Sequence, residues 1–120
     1  MRWSLQTTER WETDKEWYVK KRPAELAAVL RNLDRYMQML EAAPNPMTVS
    51  GGFLHPESMG ILAVDQKGGG SNLQQTRLYV FAEPETRTLH LLTIGDKASQ
   101  SKDIQFCQRT VKNLRNKEAR

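Results

Sequence analysis

The sequence predicts an α+β fold, in which a small antiparallel sheet of about four strands has N-terminal helices on one face and is followed by a C-terminal helix. An apolar stripe at steps of three and four residues indicates one long helix over residues 23–42. Two strand-like segments, 77–82 and 88–94, follow each other across a short turn and predict a hairpin. Helices and strands that come in runs, without strict alternation, are typical of this class.

The first elements are a short strand and a short helix. Residues 3–8 alternate between larger and polar side chains, which predicts a strand. Thr13 and Glu16 have the spacing of a capping box, so we expect a helix that begins near Asp14. Pro23 ends it, because proline has no N–H and its ring collides with the preceding turn. Proline is well tolerated in the first turn of an α-helix, so we expect Pro23 to begin the next helix.

The long helix 23–42 ends before Pro44 and Pro46. Its apolar stripe consists of Leu26, Val29, Leu30, Leu33, Met37 and Leu40. Residues 44–60 contain three prolines and three glycines, and this composition predicts a loop.

The second half of the chain predicts most of the sheet. Residues 61–65 form a short strand candidate, and the glycine-rich segment 68–72 predicts a flexible connection. The segments 77–82 and 88–94 are rich in branched and aromatic residues and should pair antiparallel. Ser101 is the expected N-cap of the last helix. Its apolar stripe is Ile104, Cys107, Val111 and Leu114, so Cys107 is expected to pack in the core.

Length and composition limit the functional classes. The 120 residues fit one domain, 1–120, and the longest apolar run has five residues, whereas a membrane span needs about 20. The first ten residues lack an apolar secretory segment, and one cysteine cannot form an internal disulfide, so we expect a cytoplasmic protein with no membrane partner. No residue spacing is typical of a zinc or calcium site, and neither a metal nor another cofactor is expected.

The positive charge is concentrated at the C-terminal end. Residues 97–120 hold seven basic and two acidic side chains, a net +5, whereas the first 96 residues hold 11 basic and 12 acidic ones. A basic segment of this kind attracts RNA or an acidic protein. The alternative is a solvated helix end whose charges suit the helix dipole.

Three segments in the second half of the chain form a combined pattern. Residues 75–81 carry an arginine followed by alternating aromatic and aliphatic residues, and residues 89–97 form an apolar strand that ends in a lysine just past a glycine. Asp103 and Ile104 then open a basic helix. Together these segments resemble the end of RelE/HigB-type toxins, the small ribonucleases of bacterial toxin–antitoxin pairs. The resemblance covers roughly 61–115, and the order of elements predicted above agrees with that family's fold.

The resemblance implies cleavage of messenger RNA on the ribosome, in the decoding site, and a cognate antitoxin protein that blocks it. By position, Arg77 matches the catalytic strand arginine of the family, and Lys97 matches the basic residue after the last strand. Lys67 lies near the basic residues of the preceding strand. Asp103 falls about where some members carry a catalytic tyrosine, so the general acid or base is left open.

Metal-free RNA cleavage needs a proton acceptor for the ribose 2′-OH, cations for the phosphorane and a proton donor for the 5′ oxygen. Arg77, Lys97, His90 and His55 are therefore the candidate catalytic residues, because guanidinium and ammonium groups bind phosphate and imidazoles exchange protons near neutral pH. If the aliphatic face of these strands packs on the helices, Arg77, Tyr79 and His90 share the other face. The candidate RNA-binding residues are Lys67, Tyr79, Lys102, Arg109 and Lys112.

Two functions from different classes stay open. The first is a RelE/HigB-like endoribonuclease whose partners are the antitoxin, the ribosome and mRNA, and Arg77 with Lys97 favours it. The second is a non-catalytic binding module of the same superfamily, such as a ParE-type gyrase inhibitor or an inactive member. The aspartate at 103 and the lack of an obvious base favour the second.

Overall fold

In a computed structural model of the protein, the described residues are 2–43, 45–70 and 72–118; Pro44, Ser71 and Arg120, which entered the sequence interpretation, lie outside them. Within that part of the chain the strands are β1 (Ser4–Thr7), β2 (Leu54–Pro56), β3 (Ile61–Asp65), β4 (Thr76–Glu83) and β5 (Thr88–Asp96). The helices are α1 (Glu9–Lys21), α2 (Pro23–Ala42) and α3 (Gln100–Glu118), with short 3-10 helices at Pro46–Thr48 and Ser58–Gly60. The α+β prediction is confirmed.

The strands form one sheet in the order β1-β5-β4-β3-β2. β1 pairs with β5 in parallel, and the other neighbours pair antiparallel. The predicted hairpin between 77–82 and 88–94 is confirmed as β4 and β5. The interpretation of 44–60 as a loop is wrong in part, because β2 lies within it and adds a strand at the edge of the sheet.

The long helix has the predicted bounds, 23–42, but the other two helices begin earlier than expected. α1 begins at Glu9, because the Thr8 hydroxyl accepts a hydrogen bond from the Trp11 N–H at 3.0 Å and caps the helix. The Thr13–Glu16 spacing therefore lies inside α1. α3 begins at Gln100, so Ser101 lies within the helix and is not its N-cap.

The sheet has a hydrophobic cluster on each face. α2 packs with strand residues such as Val64, Leu78 and Val80 on one face. α3 packs on the other, where Cys107 and Val111 meet Ala63, Ile61, Tyr79, Phe81 and Leu92. The prediction that Cys107 packs in the core is confirmed. No helix in the described part of the chain is long and apolar enough to cross a membrane.

A buried carboxylate fixes the first turn of α3. Asp103 is 1% exposed, accepts a hydrogen bond from Arg10 Nη2 at 2.8 Å and accepts another from Ser99 Oγ at 2.7 Å. It lies so close to Gly95 that a Cβ there would overlap Asp103 Oδ2. Asp103 therefore joins α1, β5 and α3. It is a structural residue at the position where the resemblance places a catalytic tyrosine.

The other end of α3 is fixed to the start of β3. Gln108 Nε2 donates to Ser58 Oγ at 2.8 Å, and Arg115 Nη2 donates to the Met59 carbonyl at 3.0 Å. α3 thus crosses its face of the sheet from the end of β5 to the beginning of β3.

We predict that Gly95→Ala destabilises the protein by about 1–3 kcal/mol, because the new methyl group must displace the Asp103 carboxylate. Gly52→Ala is the control, since among the described residues a Cβ at Gly52 would come within 4 Å of Lys67 Nζ alone, at 3.8 Å. Urea unfolding of the two variants measures the difference. Equal midpoints for the two would contradict the close contact between Gly95 and Asp103.

The pH dependence of stability gives a second prediction. Burial raises the pKa of Asp103 above its usual value, against the opposing effects of Ser99 and Arg10. The folded state then holds this proton more tightly than the unfolded state, so the contribution of Asp103 to stability falls as pH rises from about 4 to the raised value. Urea unfolding across this range should show the parent losing stability relative to Asp103→Asn. A difference in unfolding free energy between the two proteins that does not vary with pH would contradict the raised pKa of Asp103.

Candidate functional site

Three polar residues lie on neighbouring strands at one end of the sheet. His55 on β2 is opposite Ala63, and Asp65 on β3 is opposite Arg77 on β4. Opposed residues, and residues two apart on one strand, share a face of a sheet. His55, Asp65 and Arg77 therefore all lie on the face that α3 partly covers, and we call them the His55–Asp65–Arg77 cluster.

The imidazole of His55 is oriented by a carboxylate. Its Nε2 lies 2.6 Å from Asp65 Oδ2, and the Lys67 backbone N–H donates to Asp65 Oδ1 at 2.7 Å. Because an ionised carboxylate only accepts, His55 Nε2 carries the proton, and in the neutral ring Nδ1 is then a proton acceptor. The His55 side chain is 35% exposed, and none of the described residues forms a hydrogen bond with Nδ1.

Among the residues that the structure describes, no carboxylate pairs with the guanidinium of Arg77. Opposite charges that face each other across antiparallel strands usually pair. Here Asp65 faces Arg77, but its two oxygens are taken by His55 and the Lys67 N–H. Within the described residues Arg77 has no ion pair, and its buried Nε has no hydrogen-bond partner. A half-buried cation with an unused donor is suited to binding an anion.

Two exposed lysines lie at the same end of the sheet. Lys67 follows β3 by two residues, and its Nζ donates to the Gly52 carbonyl at 3.4 Å. Lys97 follows β5 directly, two residues after Gly95, which is opposite Arg77. The arrangement thus offers one proton acceptor, one half-buried guanidinium and two exposed ammonium groups.

His90 is not part of this cluster. It shares the face of Arg77, as the alternation predicts, but it is opposite Phe81, which lies about 13 Å along β4 from Arg77. Its ring stacks on Phe81 with centroids 6.1 Å apart, and Nε2 lies 3.3 Å from Glu83 Oε1. The catalytic role considered for His90 is therefore not supported by its position.

Tyr79 is completely buried beneath α3, next to Cys107. Burial raises the pKa of its hydroxyl, and the charge of Asp103 adds to this effect. A buried ring has no open face on which a base could stack, so Tyr79 is removed from the candidate RNA-binding residues.

The remaining RNA-binding candidates form a basic stripe on α3. The stripe consists of Lys102, Arg109 and Lys112, all exposed. Their spacings of seven and three residues place them on one side of the helix, away from the buried Cys107 and Val111.

Two residues of the site were not singled out from the sequence. Asp65 looked like the end of a strand, and only the pairing of β2 with β3 brings it to His55. Asn32 is 2% exposed on α2, and its Nδ2 donates to the carbonyls of Asp65 and Lys67. For Asn32, the sequence signal was a polar side chain directly before the apolar Leu33 of the predicted helix.

In the comparisons with known proteins, no protein-family model matches the chain, and no curated protein matches it significantly.

Proposed function

We propose that the protein is a metal-free endoribonuclease that cleaves mRNA on the ribosome, and that it acts as the toxin of a toxin–antitoxin pair in the cytoplasm. The observation that carries the proposal is the half-buried Arg77 guanidinium, which forms no ion pair with a described residue and lies on the same sheet face as a histidine whose tautomer is set by a carboxylate. The order of elements, one strand, two helices, antiparallel strands and a final helix, agrees with the toxin resemblance and supports it.

The cluster can carry out transesterification. His55 Nδ1 accepts the ribose 2′-OH proton, and the 2′ oxygen attacks the adjacent phosphorus. The bond from phosphorus to the 5′ oxygen breaks, which leaves a 2′,3′-cyclic phosphate and a 5′-hydroxyl. Arg77 stabilises the negative charge of the phosphorane. Lys97 or Lys67 supplies the proton that the leaving 5′ oxygen needs.

The proposed RNA strand lies across the open corner of the sheet and along α3. Lys67 and Lys97 flank the cluster, and the basic stripe lies on the helix that covers the same sheet face. These exposed cations bind the phosphate backbone without sequence preference, so binding should weaken as salt rises.

The His55–Asp65 contact favours the enzyme over the non-catalytic module. A gyrase inhibitor or an inactive member requires a binding surface but no oriented proton acceptor. The sequence left the base unidentified, and the pair His55 and Asp65 supplies one. The cognate antitoxin is proposed to cover the same basic surface, where an acidic chain would compete with RNA.

Cleavage by variants of the two histidines tests the assignment. We predict that His55→Gln, Arg77→Ala and Lys97→Ala each lose about 10²–10³-fold in the rate of mRNA cleavage, because each removes a group that acts in the transition state. His90→Gln, the matched histidine substitution outside the cluster, should keep the parent rate. The assay compares translating ribosomes with free mRNA, and circular dichroism checks folding.

Loss of activity in His90→Gln with full activity in His55→Gln would place the site at the other end of β4. A parent protein that arrests growth without cutting RNA would establish the binding module and remove the catalytic roles of Arg77 and Lys97.

A further inference from the structure

The turn that carries Asp65 is held from the opposite face of the sheet. Asn32 Nδ2 donates to the Asp65 carbonyl and to the Lys67 carbonyl, each at 2.9 Å. Arg35 Nη1 donates to Asn32 Oδ1 at 3.3 Å, which agrees with this orientation of the amide. One buried side chain on α2 thus holds both ends of the segment 65–67.

Other contacts restrain the same turn. The Asp65 N–H donates to the Phe53 carbonyl at 3.0 Å, which ties the turn to the residue before β2. Next along the chain, Gly69 lies so close to Ala28 that a Cβ on Gly69 would overlap the alanine methyl group. Ala28 and Asn32 are four residues apart and lie on one side of α2, so both contact the segment that contains the turn.

We propose that Asn32 is a positioning residue for catalysis, which acts through Asp65 on His55. The inference rests on the proposed function in that His55 is the proton acceptor. Asn32 fixes the backbone of 65–67, and this backbone places the Lys67 N–H on Asp65 Oδ1. That hydrogen bond holds the carboxylate so that Oδ2 faces His55 Nε2. The second hydrogen bond in turn orients His55 Nδ1 towards the open corner.

Removal of the Asn32 amide leaves two carbonyls without their donor. The turn then relaxes, the Asp65 carboxylate is no longer held against His55, and Nδ1 loses its orientation. Small misplacements of a reacting group cost about 10²-fold in rate. The loss should appear in kcat with little change in KM, because Arg77 and the basic stripe still bind the RNA.

The test follows the His55 ring proton as well as activity. We expect the Nε2 proton that is hydrogen-bonded to Asp65 to be protected from exchange with water and to give its own proton NMR resonance, which His55→Gln assigns. Asn32→Leu keeps the approximate size of the side chain and removes both donors, and Asn32→Ala is a second variant should Asn32→Leu not fold. Gln38→Ala removes an amide from the exposed side of the same helix, where Gln38 Nε2 donates to Asp34 Oδ2 at 3.0 Å. Val29→Ala lowers stability from a buried site on α2 and leaves the Asn32 amide in place.

The inference predicts that folded Asn32 variants lose the His55 resonance and about 10²-fold of kcat, whereas Gln38→Ala and Val29→Ala keep both. Retention of the resonance and of kcat in the Asn32 variants would overturn it, as would equal losses in Val29→Ala, which would make the effect one of stability alone. If the parent cuts no RNA, the proposed function fails, but loss of the resonance in Asn32→Leu alone still supports the positioning of His55.

Discussion

The contact between the Asp103 carboxylate and the bare Cα of Gly95 determines where α3 crosses the sheet. A side chain at position 95 would push the carboxylate away, and with it the hydrogen bonds to Arg10 and Ser99. At its other end α3 is held near Ser58. A helix fixed at these two points covers Tyr79 and leaves the corner with His55, Asp65 and Arg77 partly open to solvent. The position of the candidate site therefore follows from the packing of α3.

The positive charge of Arg77 is not balanced by the nearby carboxylate, and this makes the corner suited to binding an anion. Asp65 faces Arg77 across the strands but gives its oxygens to His55 and to the Lys67 N–H. Arg77 then keeps a positive charge that no carboxylate among the described residues neutralises. Burial of an unused donor costs free energy unless a ligand binds it. A phosphate group has the negative charge, and a pair of oxygens that can accept both hydrogen bonds of the planar guanidinium.

Local patterns were sufficient to predict much of the fold, and long-range pairing accounts for what they missed. The periodic stripe of 23–42 and the alternation of 77–82 and 88–94 depend on neighbours in sequence, and the corresponding elements agree with the structure. β2 has only three residues and joins the edge of the sheet by pairing with β3, so its composition resembled that of a loop. For the same reason His55 was a candidate without a partner. Asp65 and Asn32 gain their roles from contacts that span 10 and 33 residues, which no local period can reveal.

A structure of the protein with an uncleavable RNA would show whether Arg77 and His55 act on the same phosphodiester. Replacement of every ribose 2′-OH by 2′-O-methyl removes the nucleophile but keeps the phosphates, so the strand can bind without reacting. We expect one phosphate within hydrogen-bond distance of the Arg77 guanidinium, with the adjacent 2′ oxygen facing His55 Nδ1. RNA bound along another face, with Arg77 contacting no phosphate, would contradict it.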